Sequence, residues 1–205
     1  MHTKRLTILL VVLMPALYAQ AQWTSVHATE TRMETITTPD GQVHTNATIS
    51  EYFRSNDGSV LTVTTLRGPD GSLQGKTARL YDAEEPALYT LNYQTKTALL
   101  IVRMQAPRPL VTNRSTLYPN LQHSKYLGIN CVRVPVMLDG RRIGTYWVDD
   151  KDDLTLKKDI TLPGSHTVTT LSNITMGKKY NPSMFQVPRG FAIDASRSKS
   201  IPATE

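Results

Sequence analysis

The sequence predicts a mainly β protein built as an antiparallel meander around one core, and three observations carry that prediction. Thr, Val, Ile and Tyr dominate most segments, and these residue types suit a pleated, half-buried surface. Val43, Thr45, Ala47 and Ile49 keep strict period two, the signature of a strand with one face inward. Turn signals of one kind recur between such segments: Asp40-Gly41, Asp57-Gly58, Asp70-Gly71 and Asp139-Gly140 each offer a glycine for the positive φ of a tight hairpin.

The elements follow in order. Residues 1–21 read as an export leader: Lys4 and Arg5, an apolar run from Leu6 to Met14, and a small-x-small site at Ala19-Gln20-Ala21, with cleavage expected before Gln22. Residues 22–194 then form the folded domain. A long strand occupies 23–38, with Val26, Ala28 and Glu30 on one parity, Met33 on the other, and a bulge near Thr31. Pro39-Asp40-Gly41 turns the chain into the strand carrying Ala47 and Ile49. Ser55-Asn56-Asp57-Gly58 and Gly68-Pro69-Asp70-Gly71 bracket a third strand over 60–66.

The central stretch, 76–104, reads as strand, turn, strand. Ala78, Leu80, Leu88 and Leu91 lead in, Tyr93-Gln94-Thr95-Lys96 turns, and Thr97-Ala98-Leu99-Leu100-Ile101-Val102 runs nearly unbroken. Such a run predicts a strand covered on both faces in the middle of the sheet. Pro107 and Pro109 make the next segment extended. Leu117 and Leu121 stand at helical spacing, and Pro119 limits any helix there to a short one after it. Strands resume over 128–136, where Pro135 demands an edge or a bulge, and over 143–148, with Tyr146 and Trp147 on opposite faces. A last pair, 154–162 and 166–176, is joined by Pro163-Gly164. Asn181-Pro182-Ser183-Met184-Phe185 predicts a turn or single helical turn, and a closing strand ends at Ile193. Residues 195–205, Ser-rich and without apolar pattern, are expected to be a disordered tail.

The chain carries 23 basic and 17 acidic residues, and removal of the leader takes two of the basic ones, leaving +4. That charge is scattered, without the clustered basic face and interleaved aromatics of a nucleic-acid footprint, so nucleic acid is not an expected partner. Membrane contact is expected to be peripheral at most. The single cysteine, Cys131, sits in an apolar strand-like run and reads as a buried core residue. The sharper alternative, a nucleophile or an inter-chain thiol, would need a histidine brought to it by the fold. Asp149-Asp150-Lys151-Asp152-Asp153 lacks the glycine and distal glutamate of a calcium loop and reads as a solvated turn. His27, His44, His123 and His166 have no metal-ligand spacing, no serine lies in a nucleophile elbow, and Arg141-Arg142 reads as a solvated hairpin tip. No catalytic residue, metal or cofactor is expected. Asn46, Asn113 and Asn173 stand in formal glycosylation triplets.

The C-terminal third carries a more specific signal. Tyr126-Leu127-Gly128-Ile129-Asn130, Tyr146-Trp147-Val148-Asp149 and above all Pro182-Ser183-Met184-Phe185-Gln186-Val187-Pro188-Arg189-Gly190-Phe191 resemble secreted bacterial proteins of the outer-membrane lipoprotein-sorting, Lol carrier-like group. The stretch from Tyr81 through Ala98 is similar to that group's central hairpin. The resemblance implies a curved antiparallel sheet, an open half-barrel with one or two short helices, whose concave face can hold acyl chains. The chain shows little helix to plug such a barrel and no match to the carriers' functional residues.

A curved sheet must bury its inner face against something. Val26, Ala47, Ile49, Leu80, Leu91, Leu100, Val102, Val134, Trp147, Leu171 and Ile174 are the candidates to line it, either as a self-filled core or as an apolar cavity. The expected function is a periplasmic, non-enzymatic binding protein for a lipid or lipidated partner. The alternative is a protein-interaction or envelope-stress sensing module that engages an envelope protein through exposed strand edges, and a hydrolase centred on Cys131 stands third.

Overall fold

The computed structural model describes residues 23–103, 120–196 and 198–200. The expected leader and Leu117 lie outside those residues. The described chain folds as β1 (Val26–Thr37), β2 (Val43–Arg54), β3 (Val60–Arg67), β4 (Leu73–Asp82), β5 (Ala87–Asn92), β6 (Thr97–Arg103), β7 (Gln122–Tyr126), β8 (Ile129–Leu138), β9 (Arg141–Asp149), β10 (Thr155–Leu162), β11 (Ser165–Met176), a 3-10 turn (Pro182–Phe185), β12 (Ala192–Asp194) and β13 (Lys199–Ser200).

All thirteen strands join one open sheet in the order β12-β6-β5-β4-β3-β2-β1-β11-β10-β9-β8-β7, with β13 also on β6. Two meanders, β1 to β6 and β7 to β11, are sewn together by the antiparallel pairing of β1 with β11, from Val26 opposite Met176 to Ile36 opposite Ser165. The hairpins close where the turn chemistry demands. Gly41 and Gly71 donate back to Thr38 and Gly68, and Asp139 and Gly140 both take positive φ, as a two-residue hairpin requires. The mainly β, open half-barrel expectation is met.

The sheet is strongly curved. Strands β4 and β10 are five positions apart, which in a flat sheet would separate them by about 24 Å. Yet Arg79 of β4 and Lys158 of β10 line the same cavity.

Four local expectations are corrected. The run Thr97-Val102 does not occupy the middle of the sheet. It forms β6, next to the short parallel strands β12 and β13. Its burial alternates, with Ala98 and Leu100 buried and Ile101 36% exposed, because its cover comes from the returning chain on one face. The helix expected after Pro119 is strand β7 at residues 122–126, paired with β8 through the Leu127-Gly128 turn. Pairing outweighs the weak local spacing there. The irregularity in β1 lies between His27 and Thr29, on the β11 side only. In the region read as a tail, Lys199 and Ser200 pair with Val102 and Arg103. Pro135 sits beyond the end of β7, one residue before a register shift at Val136/Met137, in keeping with its missing N–H.

The two faces of the first meander have different fates. Leu61, Ala78, Leu80, Leu91, Ala98 and Leu100 project to one face and are capped by Phe185 from the 3-10 turn. Asn181 caps that turn, its side chain accepting from the Ser183 N–H at 3.1 Å. Tyr180, Met184, Val187 and Phe191 complete the cover. Edge-to-face ring pairs, Phe53–Tyr180 and Tyr180–Phe185 at 5.9 Å and Tyr93–Phe191 at 5.4 Å, fix the returning chain on the sheet. A second cluster, centred on Val26, Ala28, Cys131, Leu154, Leu156 and Leu171, joins the start of β1 to the second meander.

Phe185 is 2% exposed and lies between Tyr180 and the sheet. Phe185→Ala is therefore expected to lower unfolding stability by about 3 kcal/mol, read as a fall in the urea midpoint. A change under about 1 kcal/mol would mean that the returning segment does not hold the sheet.

Candidate functional site

The inner face is the one opposite Leu61, Leu80 and Leu91. Register determines what it carries. Arg54, Val60, Tyr81 and Leu88 lie in one row across β2 to β5, and Tyr52, Thr62, Arg79 and Thr90 in the next. Ser50, Thr64 and Thr77 form a third. Along the strands the inner surface therefore grades from apolar and aromatic to cationic to hydroxyl.

Two cavities follow this gradient. The first, about 470 Å³, is walled by Trp23, Val60, Tyr81 and Leu88 on one side and by Leu156 and Leu171 on the other. That volume lies within the roughly 300–1,000 Å³ of ordinary ligand pockets. The second, about 440 Å³, is lined largely by hydroxyl side chains, among them Thr48, Ser50, Thr64, Thr77 and Thr167. Glu30, Thr62, Arg79, Lys158 and Thr169 belong to both walls, so the two cavities adjoin as compartments of one hollow.

A buried polar knot closes the apolar end. Arg54, only 4% exposed, donates from Nε to the Thr24 carbonyl and from Nη1 to the Asp152 carbonyl, each at 3.1 Å. Its guanidinium lies 5.1 Å from the Trp23 ring centroid. Thr24 Oγ1 donates to Asp152 Oδ1 at 2.5 Å, and the Asp149 carboxylate accepts the Lys151 N–H at 3.0 Å. Burial depresses the Arg54 pKa, while Tyr52 and the carboxylates of Asp152, Asp153 and Asp149 oppose that shift. The acidic turn is thus no solvated loop, since Asp149 is 4% exposed and the turn holds Arg54 in place. Trp23 packs against Gly58, where φ is +93° and any Cβ would collide with the indole. Trp23 Nε1, Arg54 Nη2 and Tyr81 Oη are buried without a partner among the described residues.

The sequence candidates scatter over both faces. Leu171 lines the first cavity. Val26 is fully buried beneath it, and Ile174 and Trp147 pack at the margin of the same cluster. Trp147 is held between Arg133 and Lys157, whose charged ends lie 5.1 and 4.6 Å from its ring centroid. Leu80, Leu91 and Leu100 belong to the opposite face, under Phe185. Ile49 is 66% exposed, and Ala47, on the same parity, is exposed too. Val102 registers opposite Leu88, and Val134 opposite Tyr146. Absent from the sequence-level set were Arg79, Lys158, Trp23, Tyr81, Leu88 and Leu156. One signal was available: Glu30 shares the parity of Val26 and Ala28, which places a charge on an inward face.

The remaining candidates are structural. Cys131 is 1% exposed, its Sγ donating to the carbonyls of Ser124 and Ile129 at 3.6 and 3.5 Å. Burial pushes its thiol pKa up, the opposite of what a nucleophile needs. His27 stacks on Phe53 at 4.7 Å, and His166 Nε2 meets Asp159 Oδ1 at 2.9 Å. Arg142 is occupied by the Gly144 carbonyl and Thr145 Oγ1. Among the described residues no three His, Cys, Asp or Glu side chains converge as a metal site.

No protein-family model matches the sequence, and no curated protein matches it. Solved structures are similar in fold. An uncharacterized conserved protein from Thermus thermophilus is 8% identical, with 84% of this chain and 90% of that one covered and a TM-score of 0.49. PNGF-II is 10% identical over 87% of this chain at a TM-score of 0.45, and the match spans 32% of PNGF-II. A LolA superfamily protein from Nitrosomonas europaea, of the group that the C-terminal motif resembles, is 8% identical over 82% of this chain and 90% of its own, at a TM-score of 0.34.

Two outcomes are expected at this site. Burial raises the Asp149 carboxyl above its ordinary 3.8. Its contribution to stability is therefore complete below about 3.8 and is lost as pH rises through the raised folded value. Asp149→Asn keeps the acceptor for Lys151 and removes this titration, so stability relative to wild type should rise with pH across that window in urea melts. Cys131, buried and protonated, should resist iodoacetamide at neutral pH in the native protein and react in urea; rapid native labelling would return it to candidacy as a nucleophile.

Proposed function

We propose that the protein is a non-enzymatic binding protein of the cell envelope that holds an acyl chain, free or on a lipidated partner, in the hollow of its half-barrel. One observation carries this reading: the inner face keeps an apolar-ended cavity of about 470 Å³, while the opposite face is capped by Phe185 and its neighbours. Trp23, Val60 and Leu88, all part-exposed, supply surface without preference for a particular atom, as methylene groups require, over a floor of buried Leu156 and Leu171. Each buried CH₂ would contribute about 0.8 kcal/mol before ordering costs. A leader over residues 1–21 followed by a folded domain fits an exported periplasmic protein.

Mass spectrometry of organic extracts from natively purified protein is expected to show co-purifying acyl species. A fluorescent fatty-acyl probe should bind with saturation, and Leu88→Asp, at a half-buried wall position, should weaken it by about 2 kcal/mol. A clean extract together with a probe that does not saturate would end the proposal.

A further inference from the structure

Three cations reach each compartment of the hollow, and their obligations differ. Arg54 is committed to the Thr24 and Asp152 carbonyls and lies in the field of three carboxylates. Arg32 pairs with Glu34 at 3.1 Å. Arg79 and Lys158 remain. Both line both cavities, and both keep contact with solvent. Neither forms an ion pair among the described residues. The Lys158 ammonium has the Tyr146 ring at 5.8 Å, a contact that leaves its N–H donors unclaimed. On the wall shared by the two cavities the carboxylate is Glu30, so there two cations stand against one carboxylate, while Asp153 lines the first cavity alone and Glu34 the second.

We infer that the middle of the hollow is a head-group site for an anion, gripped from opposite arms of the sheet by Arg79 of β4 and Lys158 of β10. Like charges brought together by curvature, rather than by sequence proximity, attract an anionic oxygen placed between them. The ammonium of Lys158 feels the arrangement: surrounding protein and Arg79 press its pKa down, while Glu30 presses it up. Arg79 can present a forked pair of N–H donors and Lys158 a compact charge, which suits a carboxylate or a phosphate. Thr62 and Thr169 flank the pair. Beyond them the hydroxyls of Thr48, Thr77 and Thr167 offer donors and acceptors to whatever polar group extends from the anion. The ligand class is thus an anionic amphiphile with its chain against Trp23, Val60 and Leu88 and its acidic head at the cationic pair. This assignment rests on the acyl-binding reading above.

The test uses three ligands with one tail: palmitate, palmitoyl lysophosphatidate and neutral palmitoylglycerol, each displacing a fluorescent acyl probe from the whole mature protein. At low salt at least one anionic ligand should bind about tenfold more tightly than the neutral one. High salt should erase the advantage. The double variant Arg79→Gln/Lys158→Gln, both positions reached by solvent, should lose it, bringing the anionic ligands to the affinity of palmitoylglycerol, with circular dichroism confirming the fold. An advantage for palmitate alone would assign a carboxylate head, for the lysophosphatidate alone a phosphate, and for both an undiscriminating anion site. Equal binding of all three ligands, or an advantage that survives the double variant, overturns the head-group site and leaves acyl binding intact. Binding of none overturns both.

Discussion

The architecture depends on one strand having two neighbours. Strand β1 pairs along nearly its whole length with β2 on one side and β11 on the other. These ladders turn two separate meanders into a single surface. Every other ladder joins strands close in sequence, apart from the short parallel β12 and β13 on β6. The β1–β11 pairing closes a long loop of chain, so it must be supported by side chains as well as by backbone hydrogen bonds. Val26, Ala28, Leu156 and Leu171 provide that, packing together where the two halves meet. The same seam forms one wall of the hollow, so the contact that unifies the sheet also positions the site.

An open, curved sheet has two faces to satisfy, and this chain satisfies them differently. On one face the segment from Tyr180 to Phe191 lies across the first meander, supplying four aromatic or large apolar side chains besides Phe185. On the other, curvature brings strands five positions apart to face each other, and side chains from both arms share the interior. The apolar end is closed by Arg54, Trp23 and the turn carrying Asp149 and Asp152. A buried ion-rich knot of this kind is poor evidence of stability, because desolvation offsets much of the Coulombic gain. Its directional bonds do fix one geometry, and they tie the end of β2 to the β9–β10 turn.

Much of the fold was legible because its punctuation is chemical. Asp-Gly pairs and Pro-Gly place hairpins at 40–41, 57–58, 70–71, 139–140 and 163–164, and period two supplies the strands between them. Strand neighbours were not legible where they come from tertiary pairing. The apolar run at Thr97-Val102 resembles a central strand by composition, yet its cover is the distant Phe185 segment. The site was the least legible part. Its candidates were chosen for hydrophobicity, and hydrophobicity selects the densest core, so Leu80, Leu91 and Leu100 were drawn from the opposite face. The wall residues Arg79, Lys158 and Thr62 look like ordinary solvated strand positions until the curvature of the sheet is known.

The alternation that hid the site also makes it separable from the core. Arg79 lies between Ala78 and Leu80, which are 3% and 0% exposed on the other face. Thr62 lies between Leu61 and Val63, which belong to the Phe185 cluster. Successive side chains on a strand point to opposite faces. Charge and hydroxyl content inside the hollow can therefore change at Thr62, Thr77 or Arg79 while the layer beneath Phe185 keeps its packing. The arms differ in this respect. On the β10 side, Lys158 shares its face with Leu156, a fully buried member of the seam cluster, so freedom to vary ends within two residues. The first meander is the arm on which the lining of the hollow can change without loosening the fold, and the second is the arm that must keep the two halves together.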